Sequence, residues 1–336
     1  MKHPNLKTKR AAVCLSAVLL FVCLLSCLPS CGKKTVYTST YFDAFDTVMT
    51  LHIPASSHSE AEQISTDIHN LVLSLHKQFD IYHTYDGVSN IKTINDTAGN
   101  PTPVAVSQDV IDLLLLGKEM YTKTGGRVNI AMGAVLSLWH IYRQAGRELP
   151  PQDDLTTAAL SCDIQNLVID TQHQTVMLTD PQMSLDVGAI AKGYVADKVL
   201  AYAKTRGIDS LLFDLGGHIL ALGTHPNGNP WQVGVRNPHN GGVYTTLSVC
   251  DASVVTSGSD QRYYQVEGIK YHHLIDPQTL YPANIHAAVT VVIPFDQTKQ
   301  ADAMSTALFL MPEQEGRALL ASLAPKGEGI WISLEP

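Results

Sequence analysis

Cysteine is nearly absent from the body of this sequence. Four of the six cysteines fall within the first 31 residues, leaving Cys162 and Cys250. Two thiols so far apart lack the spacing of a structural zinc site, and nothing pairs them, so both are expected to be free. Basic charge is also scarce: 23 Lys and Arg against 31 Asp and Glu give a formal net charge of −8. That argues against nucleic acid as a partner, because binding a phosphate backbone needs a basic face. A phosphate-bearing small molecule stays compatible, provided local donors or a divalent cation offset the acidity. There is no Gly-x-Ser-x-Gly, so a serine hydrolase has no support, and no repeat or low-complexity stretch. What is there is a chain of 336 residues, 45% hydrophobic and 16% charged. That composition is globular and can bury a large core in one or two domains.

The first residues differ in character. Lys2, Lys7, Lys9 and Arg10 precede the apolar run AAVCLSAVLLFVCLLSC (Ala11 to Cys27), and LPSC follows. This is the pattern of an export signal, and the run is short for a membrane-spanning helix. The small residue before Cys27 or before Cys31 resembles a bacterial lipoprotein cleavage site, where the cysteine becomes the lipidated first residue. Cys31 is preferred, because CGKKT opens a polar stretch. Removing residues 1–30 leaves 19 basic against 31 acidic residues, a net charge near −12. The expected organisation is a lipoprotein signal peptide over 1–31, a polar tether over 32–40 and a single domain over 41–336. The expected location is the extracytoplasmic side of the cell membrane, held there by the lipid.

Beyond residue 40, TVMTLHI alternates as a strand does, and residues 59–78 carry a helical period through Ile64, Ile68, Leu71 and Leu75. SQDVIDLLLLGKEMYTKTGG reads as a helix with Ser107 as N-cap and Gly125 at its end. QNLVIDTQHQTVMLT reads as a hairpin. AIAKGYVADKVLAYAKTRG is a second strong helix, closed by Gly207, and SLLFDLGGHILALG is two strands about a Gly-Gly turn. WQVGVRNP, YTTLSV, SVVTSG and AAVTVVIP are short strands, and helices follow over about 298–311 and 312–323. Strand runs outnumber βαβ alternations, which predicts an α+β fold.

Three segments carry groups that chemistry uses. In QADAMSTALFLM, Asp302 and Thr306 stand four apart on one helix face with Ser305 beside them. All three offer oxygen, as a hard cation such as Mg²⁺ requires. The plainer alternative is a carboxylate favouring the helix dipole and a threonine bonded back to its own helix. In SLDVGAIAKGYVAD, Asp186 ends a strand, Gly188 and Gly193 permit close backbone approach, and Lys192 lies in the first turns of a helix starting near Ala189. That is either an anion site at a helix N-terminus or a glycine-assisted turn; it is no Walker sequence. In YHHLIDPQTLYP, His273 can take a proton near neutral pH and Asp276 can orient it, unless Asp-Pro simply turns the chain.

Taken in order, these segments resemble one family, the ApbE-like FAD:protein FMN transferases. The resemblance runs from about Thr47 to the C-terminus, and it implies an ApbE-like fold with mixed, largely antiparallel sheets flanked by helices. DTVMTLHI looks like the family's opening strand, which would put Met49 against flavin, and YHTYDGVSNIKTIN would put Tyr85 there. TGGRVNIAMGAVLSLW implies that Arg127, Val128 and Asn129 contact FAD. LDVGAIAKGYVAD implies that Asp186 and Lys192 contact FAD and that the Ala189 carbonyl faces the metal. HLIDPQT puts His273 or Leu274 against the dinucleotide, and ADAMSTAL makes Asp302, Ser305 and Thr306 the side-chain ligands of Mg²⁺. The implied reaction moves FMN from FAD to a Thr hydroxyl of a target flavoprotein and releases AMP. His273 is the candidate base and Asp276 its orienting partner. With water in place of threonine the same site would be an FAD pyrophosphatase giving FMN and AMP; without chemistry the protein would be an FAD-binding lipoprotein.

The sequence departs from the family pattern in three places. Asn129 stands where Asp is common. Leu280 stands where His-x-x-Asp-Pro usually runs on to Gly, so a different turn geometry is expected. SDQRYY lacks the usual Tyr-Arg pair after TSG.

Overall fold

A hairpin opens the fold of the computed structural model, which describes residues 34–335; the expected signal and lipidated cysteine lie outside them. Strands β1 (Thr35–Ala44) and β2 (Thr47–Ala55) pair antiparallel. Residues 35–40 are therefore not a tether. Their polarity is that of Thr, Ser and Tyr, residues that favour strands, and Tyr37 and Tyr41 pack against the core.

The chain continues through α1 (His58–Phe79), α2 (Ile91–Asp96), β3 (Val104–Ala105), α3 (Gln108–Lys123), α4 (Gly133–Ala145), α5 (Gln152–Ala159), β4 (Leu167–Asp170), β5 (Thr175–Leu178) and α6 (Ala191–Thr205). It then runs through β6 (Leu211–Leu215), β7 (His218–Leu222), β8 (Trp231–Arg236), β9 (Val243–Val249), β10 (Ala252–Gly258), β11 (Tyr263–Val266), β12 (Ile269–His272) and β13 (Ala288–Pro294), and ends with α7 (Ala301–Phe309), α8 (Glu313–Leu323) and β14 (Glu328–Ile332). Seven strands form one sheet in the order β1-β2-β6-β7-β10-β13-β14, with every neighbouring pair antiparallel. This is the expected α+β fold. Among the described residues no helix is long and apolar enough to cross a membrane.

Three helices lie side by side on one face of the sheet: α1 over β1 and β2, α6 over β6 and β7, and α7 over β10 and β13. Helix α1 shows why. Its periodic residues Ala61, Ile68, Val72, Leu75 and Phe79 are buried, and Ser57 caps its start. Helix α7 is buried on nearly every side, Asp302 and Ser305 included. The β8–β9 ribbon covers the opposite face through Trp231 and Val233. A second small core built on Met132, Val135, Trp139, Tyr264 and Ile275 joins α4 to the β11–β12 ribbon.

Two tight turns set up the site. The β6–β7 turn uses Gly216 (φ 58°) and Gly217 (φ 91°), both left-handed, as a two-residue hairpin turn requires. The β1–β2 turn makes the same bend at Phe45 (φ 56°) and Asp46 (φ 50°), without glycine. It is held from outside: the Phe45 amide donates to His76 Nδ1 (3.3 Å) and Arg262 Nη2 donates to the Asp46 carbonyl (2.9 Å).

Candidate active site

The polar end of α7 meets the first turn of α6. Asp302 is 3% exposed. Its Oδ2 accepts the Gly193 amide at 2.8 Å and faces Lys192 Nζ at 3.7 Å, while Oδ1 pairs with His218 Nδ1 at 3.0 Å. The helices can come this close because residue 193 has no side chain: a Cβ there would lie 2.9 Å from the Lys299 carbonyl and 3.4 Å from Asp302 Cβ. Burial pushes the Asp302 carboxyl up, but Lys192, His218 and the Gly193 amide outweigh it and hold the group below the usual carboxylate range. Asp302 is thus an ionised carboxylate inside the protein. The His218 ring is fully buried and its Nε2 has no protein partner, an omission of the kind that costs about 1–3 kcal/mol.

The other proposed metal ligands divide. The Thr306 hydroxyl makes no hydrogen bond among the described residues. The Gly193 amide, in the first turn of α6 where helix amides lack an intrahelical acceptor, is given to Asp302, and the Ala189 carbonyl just before the helix does not receive it. Those two oxygens and the Asp302 carboxylate suit a hard divalent cation that keeps waters and phosphate oxygens in its shell. Ser305 does not join them. Its hydroxyl donates to the Asp302 carbonyl (2.9 Å) and bonds Ser257 on β10 (2.9 Å), so it fastens the helix to the sheet. Among the described residues no three of His, Cys, Asp and Glu cluster as metal ligands.

His273 leaves β12 beside this centre. Its Nδ1 is buried without a protein partner. Burial first, then the charges of Arg262, the neighbouring His272, Arg143 and Lys192, push it down to about 3, so the imidazole is neutral. Asp276 does not orient it. Asp276 Oδ1 instead accepts the Gln278 amide (2.9 Å) and lies 4.0 Å from Arg127 Nη1. The Asp-Pro turn points its carboxylate back along its own chain. His272 is structural: Nε2 bonds the Ala283 carbonyl at 3.1 Å and Nδ1 accepts the Leu274 amide at 3.2 Å, and burial pushes it down to about 4.

Asp186 feels Arg262 and Arg143, as His273 does, and lines a cavity of about 400 Å³ together with Tyr82, Asn95, His140 and Ser184 among others. Burial raises its carboxyl; the Gly188 amide, His140, Arg262 and Arg143 oppose this. The segment is clamped by Asn95, whose amide both donates to the Leu185 carbonyl (3.0 Å) and accepts the Leu185 amide (2.7 Å). A second cavity, about 410 Å³, beside Arg317 and Glu328 holds none of these residues.

Several expected contacts are placed elsewhere. Met49 is 1% exposed in the core, because the alternation of β2 turns it inward toward α1. Tyr85 is part-exposed, but its hydroxyl donates to Asp80 (2.7 Å); burial and that carboxylate push it up to about 12. Val128 and Leu274 are buried. Arg127 donates to the Leu310 carbonyl (2.9 Å), and Asn129 donates to the Cys162 carbonyl (2.9 Å) and accepts the Ala131 amide (2.9 Å). Leu280 adopts φ 64°, so the turn keeps the glycine geometry after all. Its carbonyl accepts the Trp139 indole (2.8 Å) and its side chain packs in the second core. The sequence reading missed His218, Arg143, Arg262, His140 and Asn95. His218 alone carried a local sign, following the Gly-Gly turn at a strand start.

The sequence model of the ApbE family matches residues 45–331. A protein of Treponema pallidum called FAD:protein FMN transferase is 33% identical over 320 residues, 90% of this chain and 86% of the relative. One from Klebsiella pneumoniae with the same name is 31% identical, over 79% of this chain and 80% of the relative. The crystal structure of the ApbE protein from Thermotoga maritima superposes with a TM-score of 0.78 at 25% identity, covering 88% of this chain and 94% of that one. Apo flavinyl transferase ApbE from Pseudomonas stutzeri gives 0.75 at 26%, over 90% and 92%.

Proposed function

Since the chain belongs to the ApbE family, we propose that it is a FAD:protein FMN transferase that moves FMN from FAD to a threonine hydroxyl of a target flavoprotein. The observation that carries this reading is a buried His273 with an unpartnered Nδ1, held neutral by burial and by the charges of Arg262, Arg143 and Lys192, the last of which also faces Asp302 at 3.7 Å. A pyrophosphate is the kind of anion three cations suit, and a neutral imidazole can accept a proton. In the reaction the acceptor threonine Oγ attacks the phosphorus of the FMN half. A new P–O bond forms, the bond to the bridging oxygen breaks, and AMP leaves with that oxygen. The threonine proton passes to the His273 imidazole. Substrate phosphates also offset the three cations that depress this imidazole, so binding itself raises its basicity. Asp302, Thr306 and the Ala189 carbonyl would hold Mg²⁺, which when bound neutralises charge on the phosphates. Lys192 and the α6 N-terminus add to that neutralisation.

The export-type leader supports anchoring by a lipidated cysteine on the extracytoplasmic side, where the target would be a membrane-associated or exported flavoprotein. The test is to incubate the purified protein with FAD, Mg²⁺ and a target carrying a flavinylation threonine. Flavin fluorescence on the denatured target with equal AMP is the expected result. Free FMN and AMP without labelled target would assign a pyrophosphatase, and no product from FAD a binding protein.

A further inference from the structure

The geometry assigns His218 as the positioning residue of the metal carboxylate: we propose that its Nδ1–H fixes Asp302 in the orientation that a divalent cation needs. The inference rests on the metal-dependent reading above. An aspartate in a first helical turn commonly bends back to bond its own helix amides. Asp302 does not: both its side-chain hydrogen bonds go to groups outside α7. Its two oxygens are each given an outside donor, His218 Nδ1 (3.0 Å) on one and the Gly193 amide (2.8 Å) on the other. Two donors on opposite oxygens fix the plane of the carboxylate. Because an ionised carboxylate only accepts, the proton of the pair sits on His218 Nδ1. Oδ1 keeps one further lone pair for a cation, while Oδ2 also faces Lys192 Nζ at 3.7 Å.

Three features make His218 more than a filler. It is fully buried, yet its Nε2 has no protein partner, so packing alone does not explain an imidazole there. It is the first residue of β7, set by the Gly216–Gly217 turn and paired to Leu215 and Val255 on the flanking strands, so its backbone is fixed on both sides. And it reaches across the sheet-to-helix boundary to the carboxylate of α7. This is the arrangement by which outer partners orient metal ligands, and losing such a partner lowers metal affinity about 10–100-fold.

The experiment measures Mn²⁺ binding to the purified full-length protein by calorimetry, alongside the Mg²⁺ dependence of turnover. His218→Leu should weaken Mn²⁺ by about 10–100-fold and raise the half-saturating Mg²⁺ by the same factor. The loss of turnover should be largest at low Mg²⁺ and shrink as Mg²⁺ approaches saturation. His218→Asn, which keeps a donor at the δ position, should bind Mn²⁺ nearly as the wild type does; His218→Gln, whose amide sits at the ε position, should behave like Leu. A folded Leu or Gln variant with wild-type Mn²⁺ affinity overturns the proposal. So does turnover lost equally at all Mg²⁺ concentrations, the mark of a merely structural role. If Leu does not fold, Asn binding no tighter than Gln overturns it. Wild-type protein that binds no Mn²⁺ counts instead against the metal-dependent reading itself.

Discussion

His218 and Asp302 stand 84 positions apart, on β7 and α7, and meet at 3.0 Å with almost no solvent contact. His273 and Asp276 stand three positions apart and make no hydrogen bond to each other; Asp276 serves the turn that follows it and faces Arg127. The first pair is a clamp whose carboxylate is kept ionised by its surroundings. In the second region the histidine stands by itself, neutral, among cations. Closeness along the chain does not make a dyad. A turn aspartate satisfies the nearest amide first, whereas a buried carboxylate must find its donors wherever the fold supplies them.

The sharpest way to break the comparison is at Asp302. Asp302→Ala removes the ionised partner of Lys192 and His218, and turnover of FAD with Mg²⁺ should vanish in an AMP-release assay. Breaking a buried pair also costs about 3–5 kcal/mol, read as a fall in the denaturation midpoint of a protein that still folds. Next is His273→Ala, expected to lower transfer by about 10²–10⁴-fold at saturating FAD. Near-normal transfer by this variant would remove it as the base. Asp276→Asn should cost far less, since no bond links it to His273; equal losses in the two variants would restore the oriented dyad.

The effect of pH on stability separates the segment further. An unfolded chain titrates its histidines near 6.5, while folded His272 and His273 sit at about 4 and about 3. As pH falls below about 6.5 the unfolded chain takes up protons that the folded one refuses. Stability present above that pH is therefore lost progressively toward pH 4 and below. Thermal midpoints measured from pH 7 to pH 4 should fall, and fall less steeply in His273→Ala. The smallest effect is expected at Asn129. Asn129→Asp restores the carboxylate common in the family, but it replaces the donor to the Cys162 carbonyl with an acceptor. It should cost about 1–3 kcal/mol in denaturant unfolding and leave transfer unchanged.

Much of the fold was legible where local rules decide. The periods of α1, α3 and α6, the Ser107 cap and the Gly-Gly hairpin all follow from spacing and turn chemistry. Strand β1 was misread as tether because its pairing with β2, not its polarity, makes it a strand. At Leu280 local reasoning predicted a different turn, yet packing and the Trp139 bond hold a leucine at φ 64°.

By itself, the sequence determined the α+β class, the family and the two segments that carry Lys192 and Asp302, because periodicity, turns and motifs are short-range properties of a chain. Only the tertiary structure decided which groups act on one another: Arg143, Arg262 and Lys192 on His273, and His218 on Asp302. Burial strengthens charge interactions and makes an unpaired polar group costly. The groups that answer one another there come from strands and helices far apart in the chain.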